Sequence, residues 1–426
     1  MRKISLLTTL LFLLLSFGIG ISAQEDGLPS PGLTPDSPFY FLERISEGIG
    51  TFFTFGDLKK AERYAALAAE RVAEAKAVVE KGRPEAAQIA LERYEYQLER
   101  ALAKAVVAKA KGKSISEVTD IIAQATAKHL TVLEEVLERV PEQAKPAILR
   151  AREVSVTGQV RALESLSKDK PERAAALNFQ TIQGRLGKAK EEAVELNGED
   201  MGRSLADFSV FRASLEKMGK ENKAVLASLV SENMIGQIED LDELEDEAEN
   251  ISSEMIERVK TIKGNTIDGQ TQVLGSLASV DPERATEINL KAAEARLNRA
   301  KAKAEEGEME AMEEAITEFE NQHRFGEEIS QIAQGLGKDT TTVEQLVGRA
   351  TSIHLEILAE VYGKVPEQAK ASIEEAMNIS VEGHERAVES LKAKGAIDEV
   401  PEEVPVPDEL PEEVKERIRK PGTPRP

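Results

Sequence analysis

One helical unit of about 111 residues is written three times in this chain, and the outer two copies run in register without an insertion or deletion. Residues 125–166 and 350–391 are identical at 23 of 42 positions, all at a spacing of 225. The middle copy is traced by Pro171-Glu172-Arg173-Ala174, which recurs as Pro282-Glu283-Arg284-Ala285, and by Gly158-Gln159, which recurs as Gly269-Gln270, each 111 residues on. A supersecondary unit repeated at fixed period buries its apolar face against its neighbours, so the repeat dictates architecture before any residue is given a task. The expected fold is all-α, with three tandem antiparallel four-helix units in an elongated helical repeat array.

Proline and glycine punctuate the helices. In the first repeat, Ala61, Ala65, Ala68, Val72, Ala75 and Val79 alternate by four and three, the seam of a helix over 57–80 packed lengthwise on another. Gly82-Arg83-Pro84 ends that helix and starts a second, which runs to about Lys111. Ser114, with Glu117 three residues on, is placed to cap a third helix reaching Val140. Pro141 opens a fourth, with Pro146 delaying or bending its start. Gly158, Gly269 and Gly383 recur near the middle of the fourth helix, although glycine there costs about 1 kcal/mol against alanine. They indicate either a close helix crossing or a hinge.

The expected segments are 1–23 as a signal peptide, 24–56 as an entry segment with a short capping helix, repeats at 57–168, 169–280 and 281–393, and a disordered Pro/Glu-rich tail at 394–426. Arg2 and Lys3 precede an apolar stretch from Ile4 to Ile21 with a cleavage point after Ala23, which predicts an extracytoplasmic protein. An uncleaved N-terminal anchor is the alternative, and the only membrane contact expected. Losing Arg2 and Lys3 takes the net charge from -22 to -24, which argues against nucleic acid as partner. The chain has no cysteine, which removes thiol chemistry, disulfides and thiolate metal sites together.

Leu33-Thr34-Pro35-Asp36-Ser37-Pro38-Phe39-Tyr40-Phe41-Leu42, then Thr54-Phe55-Gly56-Asp57 and an Ala/Glu/Lys-rich helix, resembles the start of a family of exported archaeal and bacterial helical proteins catalogued as a domain of unknown function. The resemblance covers residues 33 to about 110 and implies export and an all-helical fold, with no activity or catalytic residue to carry over. Asp36 or Ser37 is placed to cap a short helix with Pro38 in its first turn. Phe39, Leu42, Ile45, Ile49 and Phe52 then share one face. That face reads as a hydrophobic lid over the open end of the first bundle; a membrane-surface or partner-docking helix would instead leave it exposed.

No nucleotide, nucleophile-elbow or metalloprotease string is present, and the expectation is a protein that is not an enzyme and carries no cofactor or metal. His129 and His354 occupy equivalent positions on the apolar side of the third helix and are the weak binding candidates. Glu320-Asn321-Gln322-His323 has a metal-like spacing without the second such pair that bundle di-metal sites use. The acidic run 239–250 reads as a solvated helix face. The leading expectation is a structural or protein-interaction element of the cell envelope, with an envelope or surface protein as partner and self-association left open. The alternative is an extracytoplasmic binding or sensing module for a cation or small envelope ligand.

Overall fold

The computed structural model describes residues 27–397 and 400–418. Among the described residues there are fourteen α-helices and no strand. The first half has α1 (Tyr40–Phe52), α2 (Asp57–Glu80), α3 (Pro84–Ala110), α4 (Ser116–Arg139), α5 (Lys145–Ser167), α6 (Pro171–Val194) and α7 (Gly198–Glu221). It continues with α8 (Ala227–Ala248), α9 (Ser253–Ala278), α10 (Pro282–Glu306), α11 (Met309–Gly335), α12 (Thr341–Lys364), α13 (Lys370–Lys394) and α14 (Glu412–Ile418). The expected signal peptide lies outside the described residues. Packing divides the chain into two compact units between Ile182 and Gln183, within the second repeat and not at a repeat boundary.

In the first unit, α2 pairs with α3 and α4 with α5, each pair joined by a tight turn and therefore antiparallel. Gly82 and Gly112 close α2 and α3 at φ of 71° and 73°, a backbone that residues with a Cβ rarely adopt. The two hairpins then lie side by side, α2 on α4 and α3 on α5. The second unit repeats the device, with α10 on α12 and α11 on α13. Lys301–Glu360 and Lys364–Glu305 bridge α10 and α12 at the same sequence offset, which only parallel helices in register produce. The first and third sequence repeats thus each pack as two stacked hairpins. Neighbours in sequence are antiparallel, and neighbours between hairpins are parallel.

Several local expectations change. The third helix begins at Ser116 with no side-chain cap, because Ser114 Oγ bonds Ser116 Oγ instead of a backbone N–H. The fourth begins at Lys145, with the delay expected of Pro146, so that Pro146 and not Pro141 sits in the first turn, where its missing N–H is harmless. The recurring glycines are close crossings. A Cβ on Gly158 would lie 2.9 Å from Leu98 Cδ2, one on Gly269 2.7 Å from Glu216 Oε2, and one on Gly383 2.5 Å from His323 Cε1.

The tail expected at 394–426 to be disordered is ordered over 400–418. Leu410, just before α14, and Val414 and Ile418 of α14 join the core built on α10 to α13, and Val400 packs with Val388 and Leu391. His384 holds the return, with Nδ1 3.2 Å from the Gly348 carbonyl and Nε2 3.0 Å from that of Pro401. Composition hid this, since the few valines and leucines between the prolines are spaced to meet an apolar groove that only the fold creates.

Candidate functional site

The entry helix α1 is turned opposite to the lid expectation. Phe39, Phe41, Phe52, Phe53 and Phe55 are 59%, 55%, 74%, 64% and 76% exposed, and Leu42, Ile45 and Ile49 are exposed beside them. Every other described phenylalanine is buried or half-buried. The polar face points inward, where Tyr40 and Glu47 are buried.

What turns the helix over is a buried charge network. Arg71, with no solvent exposure on α2, donates to Tyr40 Oη at 2.7 Å and to Glu47, and forms an ion pair with Glu74 at 2.8 Å. Arg93 on α3 donates to the same two groups of α1, to Tyr40 Oη and to Glu47 Oε2, both at 2.9 Å. Burial raises the Glu74 carboxyl to about 8 against the pull of Arg71, and raises the Tyr40 phenol to about 12. Removing one partner of such a buried pair typically costs about 3–5 kcal/mol, because it leaves an uncompensated buried charge. The expected cap is also reassigned. Asp36 pairs with Arg83 at 3.1 Å and Lys81 at 3.7 Å, while Ser37 Oγ accepts only a 3.3 Å bond from the Phe39 N–H.

The two histidines singled out by the repeat are both buried, at 1% and 3% exposure, in different surroundings. His129 is enclosed, its ring edge-on to Tyr94 at 5.3 Å, and both ring nitrogens lack a hydrogen-bond partner. Burial, helped by Lys128, pushes it down to about 3, so it stays neutral and acts as packing. His354 stands 5.2 Å from Phe319 and 6.4 Å from His323, and the two histidines line a half-open cavity of about 210 Å³ with Asn289, Gln334, Glu344 and Arg386. Burial, with His323 next, lowers His354 to about 3; burial, with Arg386 and Arg324 next, lowers His323 to about 4. Of the sequence candidates, only His354 and His323 are brought together.

The acidic run is a solvated face only in part, with Glu239, Glu243, Glu247 and Glu249 exposed. Asp242 and Glu245 are buried, and Lys263 of α9 reaches both, at 3.3 and 2.7 Å, together with Glu314 at 2.6 Å and Glu318 at 3.2 Å of α11. Arg296 of α10 adds contacts to Asp242 at 2.8 Å and Glu318 at 3.2 Å. A lysine ammonium thus occupies the centre of a four-carboxylate cage of the kind that would otherwise attract a cation. Burial opposes its charge, but Glu318, Asp242 and Glu245 outweigh burial and hold it above the ordinary lysine range. Among the described residues no group of three or more His, Asp or Glu is placed to hold a metal ion.

Sequence reasoning missed both charge networks. The one available signal was Arg71 and Glu74 lying beside the Ala/Val seam of α2, where a charge is out of place unless a partner arrives from elsewhere in the chain.

A family model described as Domain of unknown function (DUF5667) matches residues 32–143, which span the entry motif, α1 and the helices through α4. No curated protein matches the chain. A solved structure titled "Circular tandem repeat protein with novel repeat topology and enhanced subunit contact surfaces" is similar over 84% of this chain and 77% of its own, with 16% identity and a TM-score of 0.56. At that identity the likeness speaks for the fold alone, a helical tandem repeat.

Proposed function

We propose that this chain is an exported, non-enzymatic helical-repeat protein that works as an interaction element of the cell envelope, with the outward face of α1 as its contact surface. The observation that carries the reading is that α1 exposes its phenylalanines while its carboxylates are buried on Arg71 and Arg93. An apolar patch of this kind, held rigidly at the cost of burying charge, is the mark of a contact surface. Support for a non-enzymatic role comes from the buried carboxylates of both units being engaged by arginine or lysine, so that they serve packing.

Fractionation of the producing cells tests it. The wild-type chain is expected with the envelope, and a Phe41→Ser/Phe52→Ser/Phe53→Ser variant largely free of it. Equal release of both proteins into the soluble fraction would overturn the proposal. A second reading, a binding module for a small ligand, is favoured by the cavity at His323 and His354. Native mass spectrometry of the purified protein would support it by revealing a retained small molecule that His354→Phe removes.

A further inference from the structure

The face of α1 has a chemistry that selects among possible partners. The chain as a whole carries a net charge of -22, yet between residues 39 and 56 the only carboxylates are Glu43 and Glu47. Glu47 is buried, and Glu43 is half-buried with its Oε2 accepting the Leu33 N–H at 2.6 Å. What remains outward is phenylalanine, leucine and isoleucine, with Arg44 on the helix and Lys59 just beyond it, both exposed. Between residues 39 and 56, a single apolar helix face with Arg44 beside it and no exposed acid matches the boundary of a phospholipid bilayer, where side chains enter the acyl region and guanidinium meets phosphate. The acidic remainder of the chain would be repelled by anionic headgroups, which confines contact to this patch.

Sequence distance supports the same partner. The apolar stretch ends at Ile21, 18 residues before Phe39, so extended chain between them reaches at most about 60 Å. Retention of that stretch as an anchor would keep α1 within reach of a membrane. A second copy of the chain is the less suitable occupant. A two-fold contact through this face would gather the Arg44 side chains of both copies into one interface, with no exposed carboxylate between residues 39 and 56 to answer them.

We propose that α1 lies along a lipid bilayer, with Phe41, Ile45, Ile49 and Phe52 entering the interface and Arg44 and Lys59 at phosphate level. This inference rests on the reading of α1 as the contact surface and names its partner. Tyr40 and Glu47, bound by Arg71 and Arg93, fix which way the helix faces, so docking needs no rearrangement of the fold.

The absence of native cysteine makes the test clean. A fluorophore is attached at Ser46→Cys on α1 or at the exposed Glu310→Cys on α11, and the purified full chain is mixed with vesicles of phosphatidylcholine and phosphatidylglycerol carrying a lipid-bound quencher. Strong quenching is expected at position 46 and none at 310. The Phe41→Ser/Phe52→Ser/Phe53→Ser variant, all of whose sites are exposed and whose helicity is checked by circular dichroism, should bind the α1 label to lipid about 100-fold more weakly. Arg44→Glu should weaken binding to the anionic vesicles while leaving pure phosphatidylcholine binding unchanged. Equal quenching at both positions, or none at 46, overturns the lipid assignment. If unquenched label 46 is accompanied by α1-dependent association with the envelope in cells, the contact surface stands and its partner is a protein. Loss of both retires the surface altogether. Energy transfer between labelled copies without lipid quenching would assign the face to self-association.

Discussion

Acid should destabilise the first unit through one residue, His129. Its imidazole is enclosed, held at about 3 by burial and then by Lys128, while an unfolded histidine titrates near 6.5. A folded-state value below the unfolded one means that the stability is fully present above pH 6.5 and is lost as pH falls towards 3, because only the unfolded chain takes the proton. At pH 5 the gap is about 1.5 pH units on the unfolded side, which corresponds to about 2 kcal/mol, against nearly nothing at pH 7.5. His129→Leu removes the titration and two unpaired ring nitrogens while keeping an apolar side chain against Tyr94. Urea unfolding followed by circular dichroism at pH 7.5 and pH 5, for wild type and variant, isolates the effect. The wild type should lose about 2 kcal/mol more than the variant over that interval in the transition of the first unit. Equal losses in the two proteins would refute the reasoning, since they would mean that the histidine is protonated in the folded state or already exposed.

Other consequences follow from the same contacts. Gly383→Ala places a Cβ 2.5 Å from the His323 ring and should cost about 1–3 kcal/mol in denaturant unfolding, whereas Gly264→Ala, with nothing within 4 Å, should stabilise α9 by about 0.5–1 kcal/mol. Lys263→Met leaves Asp242, Glu245, Glu314 and Glu318 without their central cation and should cost about 3–5 kcal/mol, with part of the loss recovered at low pH as the carboxyls protonate. Ile418→Ala, at a fully buried end of α14, should cost about 2–5 kcal/mol if the C-terminal segment is core; an unchanged melting temperature would show that it is not.

Much of the fold was legible in one dimension because its signals are local. The seam from Ala61 to Val79 predicts α2 over the residues it occupies, and Pro84, Pro171 and Pro282 each begin a helix, since a missing N–H and a fixed φ act on the residue that carries them. The stacking of hairpins was less so. Lys301 and Glu360 are simply two charges in a sequence until α10 and α12 are set parallel.

Sites fared differently from helices for the same reason. The repeat pointed to His129 and His354 as equivalents, but the difference between an enclosed ring and a cavity wall depends on His323, which stands where the first repeat has Leu98. Periodicity identified the apolar face of α1 and left its direction open between lid and docking surface. The answer came from Glu47 meeting Arg71 and Arg93, at sequence separations of 24 and 46 residues. Sequence alone determined that this chain is helical, where its helices break and that the pattern recurs, because propensity and periodicity act within a turn or two of the chain. Which faces are hidden, which charges are neutralised and which phenylalanines meet the outside were decided only in three dimensions, because burial and ion pairing are relations between residues that sequence keeps apart.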